Sequence, residues 1–208
     1  IATISASIIR EFPEYYPLFA EKTYTYNDIK QGNRNPLLYR YDGADGLKTG
    51  HTEASGYGLA ASVNKRDRRL ILVVNGLQSQ KQRAQETERL FDWAFREFDN
   101  YALFTAGETV ENADVWLGQE GQVPLIIRDD VKLTLPRKAR RKMEVKVAYN
   151  GPVAAPVRAG EELAIVTISA PDQETLQIPL VAGKDVPRLG MFGRLSAAFK
   201  YLAWGAEE

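Results

Sequence analysis

A chain of 208 residues, 44% hydrophobic and 26% charged, carries apolar material for one large core or two small ones, which excludes a disordered segment. Its 27 Lys and Arg balance its 27 Asp and Glu, so no net field is available to hold a phosphate backbone and no nucleic-acid partner is expected. The lack of cysteine and the single histidine, His51, exclude disulfides, thiolate catalysis and Cys- or His-rich metal sites, and no metal or cofactor is expected.

Ile1, Ile4, Ile8 and Ile9 recur at helical spacing and predict an amphipathic helix to about residue 12, ended by Pro13 and Pro17. The chain opens inside that helix without a Met or a basic leader, so an upstream part is expected to precede it. Residues 21–40 are polar and aromatic, with Tyr24, Tyr26, Asn27, Gly32, Asn33, Asn35 and Pro36, and predict a short strand plus loops. Asp42-Gly43 and Asp45-Gly46 mark turns. In residues 56–63, Tyr57, Leu59, Ala61 and Val63 share one face. Leu70-Ile71-Leu72-Val73-Val74 is a continuous apolar run, as in a strand buried on both sides. The polar link Asn64-Lys65-Arg66-Asp67 makes the two a hairpin. Ser79 with Gln82 fits a capping box and opens a helix whose buried face is Ala84, Phe91, Ala94, Phe95 and Phe98.

That helix ends near Asp99-Asn100, a natural boundary. From residue 101 to 186, short β runs begin at Thr109, Val115, Val123, Val131, Met143, Leu163 and Leu176, separated by Gly or Pro punctuation, as in a sandwich or barrel. Nothing in this stretch suggests catalysis. Trp93 and Trp116 read as core or domain-packing residues. The basic run over residues 137–142 reads as a solvated turn between strands in preference to a loop facing anionic lipid or glycan. In the tail, Met191, Phe192, Leu195, Phe199 and Leu202 share a helical face, Arg194 and Lys200 flank it, and Tyr201 and Trp204 lie close by. Cations beside an apolar face, with aromatics at its margin, describe a helix lying in a membrane surface; a helix docked on the protein itself has the same periodicity. No run reaches the roughly 18 to 20 apolar residues that span a bilayer. The organisation is therefore residues 1–99, 100–186 and 187–208.

The sharpest chemical signal is Lys48-Thr49-Gly50, between a glycine turn and a hairpin, where it would lie along an edge strand. Such an edge offers backbone groups to an extended peptide, and Gly50 leaves room for close approach. Lys48 brings a fixed positive charge and Thr49 a hydroxyl. Together they suit a carboxylate, for which one charge-assisted hydrogen bond is worth roughly 1.5 to 3 kcal/mol.

The longer string Asp45-Gly46-Leu47-Lys48-Thr49-Gly50-His51-Thr52, followed by Ser55-Gly56-Tyr57 and preceded by Asn33-Arg34-Asn35 and Leu37-Leu38, resembles the D-alanyl-D-alanine carboxypeptidases among the low-molecular-mass penicillin-binding proteins. These serine peptidases share S-x-x-K, S-x-N and K-T-G motifs. The β region and amphipathic tail match the family's layout as well. The resemblance implies an α+β fold: the C-terminal portion of a β-lactamase/transpeptidase-like domain (antiparallel strands plus helix), then a small all-β sandwich-like domain, then an amphipathic C-terminal helix. It implies a serine, activated by the lysine of its own S-x-x-K, that attacks the D-Ala-D-Ala bond of a peptidoglycan stem peptide and is acylated by β-lactam antibiotics. Lys48 and Thr49 would hold the terminal carboxylate beside Gly50, His51 would steady the strand, and Arg34 and Arg83 would support the carboxylate pocket. The implied location is the bacterial periplasm, at the outer face of the inner membrane, bound through residues 187–204.

The departure from the family is that no S-x-x-K or S-x-N precedes K-T-G. Ser62-Val63-Asn64-Lys65 fits both patterns with one serine, which cannot fill two roles, and it follows K-T-G at a strand end; it reads as a chance match. The nucleophile is therefore expected in a missing N-terminal half, with no catalytic residue in this chain, which alone is expected to be inactive. Two other readings compete: a non-catalytic membrane-associated module that binds peptidoglycan or a protein through its β domain, and part of a class A β-lactamase. The hundred or so residues beyond the helix near residue 98 weigh against the latter.

Overall fold

In the computed structural model, which describes residues 1–193 and 195, the opening isoleucine spacing folds as α1 (Ala2–Glu11), ended where the Phe12 N–H donates to the Ile8 carbonyl ahead of Pro13. Its buried residue is Ser5, while Ile1 and Ile4 lie exposed. A 3-10 turn, Tyr16–Ala20, follows with Pro17 at its start. The next stretch, predicted as one short strand plus loops, is a two-stranded hairpin, β1 (Thr23–Tyr26) and β2 (Ile29–Gly32). Asn27 and Asp28 both take positive φ (49° and 59°) at its turn, which their short polar side chains tolerate. The second strand escaped the sequence because Ile29-Lys30-Gln31-Gly32 shows no alternation.

After one helical turn, α2 (Leu37–Arg40), three antiparallel strands form a sheet: β3 (Ala44–Thr52), β4 (Gly56–Lys65) and β5 (Arg68–Leu77), in that spatial order. β4 is central, with Leu59, Ala61 and Val63 buried. β5, expected to be buried on both faces, is half-buried along most of its length because it is an outer strand. α3 (Gln80–Glu97) begins as its sequence predicts: the Gln82 N–H donates to Ser79 Oγ at 3.1 Å, and Gln82 Oε1 accepts from the Gln78 N–H at 2.8 Å. Arg83, Ala84, Thr87 and Phe91 form its buried stripe, and Phe91 closes a core with Leu37, Leu59, Ala61 and Val63. Trp93, read as a core or domain-packing residue, lies off this stripe and is 44% exposed, outside this core.

The chain divides into two units, Ile1–Glu97 and Phe98–Glu208. The second is built from β6 (Phe98–Phe104), β7 (Thr109–Trp116), β8 (Gln122–Ile126), β9 (Val131–Pro136), β10 (Glu144–Tyr149), β11 (Val153–Ala154), β12 (Glu162–Ser169) and β13 (Leu176–Ala182). Six of these make a mixed sheet in the order β10-β12-β13-β8-β7-β11, with β11 parallel to β7 and the other pairs antiparallel; β6 pairs with β9. Inward residues alternate along the strands, as in Ala164, Val166 and Ile168, and join Val123, Leu125, Leu180 and Val186 in one core. Phe98, predicted on the helix face, instead starts β6. Trp116, likewise read as a core or domain-packing residue, lies at the end of β7 and is 42% exposed, outside this core.

The basic run is one helical turn, α4 (Arg137–Arg140), rather than a plain turn. Ala139 anchors it, Arg137 pairs with Asp99 at 3.2 Å, and the Arg140 guanidinium lies 5.4 Å from the Tyr101 ring centre. Residues 187–189 belong to this unit: the Gln119 N–H donates to the Pro187 carbonyl and the Leu189 N–H to the Leu117 carbonyl, each at 2.8 Å. Met191, Phe192 and Leu195 are exposed, and the remainder of the predicted amphipathic helix lies outside the described residues. Among the described residues, no helix is long and apolar enough to cross a membrane.

The first unit's stability should depend on Phe91 and on the α3 cap. Phe91→Ala is expected to cost about 3 to 5 kcal/mol and Ser79→Ala about 1 kcal/mol, read by denaturant unfolding of the chain.

Candidate functional site

β3 pairs with β4 through the register Lys48↔Ala60, Thr49↔Leu59, Gly50↔Gly58 and His51↔Tyr57. Among the described residues its other edge has no strand partner, so the K-T-G segment presents unpaired backbone groups. Alternation puts Lys48 and Gly50 on one face with Ala60 and Gly58, and Thr49 and His51 on the opposite face with Leu59 and Tyr57. Small residues hollow the Lys48 face. A cleft of about 360 Å³ opens there, lined by Lys48, Gly50, Gly58, Ala60, Val73 and Asn75 among others. A second cleft of about 410 Å³ is lined by Phe19, Asn33, Arg34, Leu47, Lys48 and Thr49 among others. Lys48 forms no ion pair with the described residues; its ammonium donates to the Thr49 carbonyl. A methyl group at Gly50 would meet nothing within 4 Å.

Arg34 is presented by its neighbours. The Asn33 side chain donates to the Phe19 and Glu21 carbonyls (3.3 and 3.0 Å) and accepts from the Asn35 N–H at 3.0 Å. Asn35, fully buried, donates to the Gly46 carbonyl at 2.8 Å and accepts from the Leu37 N–H at 3.1 Å. The two asparagines thus fasten the loop to β3 and leave Arg34 facing the second cleft.

Arg83, 5% exposed, projects from the first turns of α3. It donates to the Arg34 carbonyl at 3.2 Å, and its guanidinium lies 5.8 Å from the Tyr57 ring centre. Its Nε is buried with no partner among the described residues. Burial first, and the Arg34 charge as a smaller contributor, pull Arg83 below the usual arginine range, against the opposing influence of Tyr57. Neither arginine is paired with a carboxylate of the described residues. A buried cation beside a second cation is costly unless an anion joins them. His51 stacks on Tyr57 with ring centres 3.9 Å apart. Tyr57 therefore lies against both His51 and Arg83, a role the sequence did not single out.

Upstream of Lys48 the strand is held by a polar cluster. Tyr16 Oη donates to Asp45 Oδ1 at 2.8 Å; Arg69 Nη1 reaches Asp45 Oδ1 and Oδ2 at 2.9 and 2.7 Å and Ser62 Oγ at 2.5 Å. Ser62, the chance match to S-x-x-K, is fully buried in this cluster and has no route to a substrate. Burial is the main reason the Tyr16 phenol is pushed up to about 12; Ser62 opposes that rise and Asp45 adds to it. Among the described residues, no three His, Asp or Glu side chains gather as a metal site.

With the geometry in place, the comparisons are specific. The D-alanyl-D-alanine carboxypeptidase family profile matches residues 1–79, and that of the penicillin-binding protein 5 C-terminal domain matches residues 98–188. D-alanyl-D-alanine carboxypeptidase DacD of Salmonella typhimurium is 34% identical over 205 residues, 98% of this chain and 53% of that protein. DacA of Haemophilus influenzae is 35% identical over 200 residues, 94% of this chain and 50% of that protein. The crystal structure of penicillin binding protein 5 from Haemophilus influenzae superposes with a TM-score of 0.73 at 33% identity, covering 90% of this chain and 55% of that one. The chain belongs to the low-molecular-mass penicillin-binding proteins of the D-alanyl-D-alanine carboxypeptidase family. It spans about half the length of the curated relatives it matches.

A phenol that keeps its proton longer in the folded chain than in the unfolded one stabilises the fold at pH values below its ordinary 10, and that contribution is lost as pH climbs to about 12. Melting temperature should therefore fall over that interval, and Tyr16→Phe should flatten the fall. Tyr41, likewise raised by burial and by its 2.7 Å bond to Asp92, leaves a residual slope.

Proposed function

We propose that this chain supplies the substrate-carboxylate side of a serine D-alanyl-D-alanine carboxypeptidase site, and that the nucleophile comes from polypeptide upstream of Ile1. The observation that carries this reading is the meeting of an unpaired β edge with cations that lack anions: Lys48 beside Thr49, and Arg83 against the carbonyl of Arg34. The C-terminus of a stem peptide ending in D-Ala-D-Ala would lie along β3. Thr49, Arg83 and Arg34 would grip its carboxylate, and His51, stacked on Tyr57, would keep the strand in place. Lys48, expected from the sequence to share the carboxylate with Thr49, alternates to the opposite face and would instead lend its positive charge to the upstream nucleophile's side of the site.

In the reaction, the serine oxygen bonds to the penultimate carbonyl carbon and the C–N bond breaks. D-Ala leaves with the serine proton on its amine. Water then splits the ester and restores the serine. β-Lactams would acylate the same serine. The intact protein would work in the periplasm, attached to the inner membrane by residues 187–204.

A free carboxylate is the feature this site should read. For the polypeptide that includes the upstream sequence, Arg83→Ala should raise KM for a D-Ala-D-Ala peptide by roughly 10- to 100-fold, the value of one lost charge-assisted bond. It should leave turnover of the C-terminal amide, already poor, unchanged. Equal losses for acid and amide would remove Arg83 from the carboxylate pocket. Fluorescent penicillin should label that polypeptide and not residues 1–208 alone; no labelling of either would defeat the enzymatic reading.

The membrane reading has its own check. Because residues 187–189 are hydrogen-bonded into the β unit, the truncation should follow Gly190. The full chain should float with vesicles rich in anionic lipid, and the truncated chain should stay in the aqueous fraction. Flotation of both would place the contact elsewhere.

A further inference from the structure

The register of β3 against β4 contains one extra residue. Ala44 lies opposite Val63 and Gly46 opposite Ser62, so Asp45 is the inserted residue of a β-bulge three positions before Lys48. A one-residue slip in a strand moves each side chain to the other face. Without the bulge, continuing the Ala44↔Val63 pairing would set Lys48 opposite Leu59, on the face now occupied by Thr49, and Thr49 opposite Gly58. Lys48 and Thr49 would then exchange places relative to Arg83.

The bulge is held by side chains from five segments. Asp45 on β3 is gripped by Arg69 on β5 through both carboxylate oxygens, and Arg69 also reaches Ser62 on β4. Tyr16, from the 3-10 turn, donates to Asp45 and lies under the Arg69 guanidinium, 5.1 Å from its ring centre. Asn35 caps the adjacent Gly46 carbonyl. The side chains of Asp45 and Arg69 are about three-quarters buried, at 26% and 27% exposed, so neither is easily left unpaired. A methyl group at Gly46 would come within 2.8 Å of Tyr16 Oη, which leaves the bulge no room for a larger residue.

We propose that Asp45, Arg69 and Tyr16 are positioning residues for the K-T-G edge: their cluster holds the bulge and thereby decides which face of the strand Lys48 occupies and which face Thr49 occupies. The catalytic consequence rests on the function proposed above, while the phase of the strand does not. None of the three touches substrate; they act through Lys48 and Thr49.

The chain has no cysteine, so an introduced pair reports the phase directly. Lys48→Cys with Ala60→Cys should close a disulfide on oxidation, because directly opposed positions bring their Cβ atoms close enough, and Lys48→Cys with Leu59→Cys should not. Adding Asp45→Asn should lower the first crosslink and raise the second. Tyr16→Phe, which keeps the ring and the ion pair, should do so more weakly and serves if Asp45→Asn does not fold. Unchanged crosslinking in the variants that fold would overturn the proposal. In the longer polypeptide, Asp45→Asn should slow acylation by fluorescent penicillin at least about tenfold through the limiting acylation rate more than through initial binding. Arg69→Lys, which keeps the charge, should recover part of the rate lost in Arg69→Met. Acylation within twofold of the unaltered protein would also overturn it. If the unaltered polypeptide is not labelled at all, the enzymatic reading fails, and the crosslinks still decide the phase.

Discussion

An unpaired strand edge is the constraint on which the first unit is organised. Such an edge is a standing invitation to any extended chain, including another copy of itself. Here it is short, it carries a charged residue at Lys48, and it is blunted upstream, where Asn35 occupies the Gly46 carbonyl. Only the stretch from Lys48 onward is left open. The rest of the unit serves to keep that stretch rigid and correctly turned. β4 is buried behind it, α3 brings Arg83 to one face, and the Asp45 bulge is tied to four other segments. Among the described residues this edge has no strand partner, and its fixed contacts come from behind and from upstream.

Charge follows the same logic. Asp45 and Arg69 satisfy each other at 2.7 Å and lend structure. Among the described residues Arg83 and Arg34 have no such relief, and Arg83 is buried beside another cation. A buried guanidinium without an anion is a cost to the fold, and under the function proposed above the substrate would supply that anion. Among the described residues, the arginine on β5 is paired with a carboxylate and the one on α3 is not, within one small unit.

Much of this was legible in the sequence where the determinants are local. The hairpin of β4 and β5, the cap at Ser79 and the β runs of the second unit follow from alternation and turn chemistry spanning fewer than a dozen residues. The K-T-G string was legible as a motif, and its place on an edge followed from the hairpin after it. Other features depend on residues far apart in the chain. Asp45 and Arg69 are 24 positions apart and Tyr16 lies 29 before Asp45, so no window on the sequence joins them. The bulge is hidden for the same reason, since it is a property of two strands together. Tyr57 looked like an ordinary inward residue of β4; its position between His51 and Arg83 appears only once α3 is laid on the sheet. Trp93 and Trp116 fall outside both buried cores, because helix phase and strand end decide burial there and size does not.

The empty surroundings of Gly50 carry one more implication. Inside this chain nothing forbids a methyl group there, and its backbone is not among those at positive φ. Any intolerance measured at that position would therefore point to something beyond the described residues that lies on the strand. A set of progressively larger side chains at residue 50 would act as a ruler, gauging the thickness of the visitor while leaving its host undisturbed.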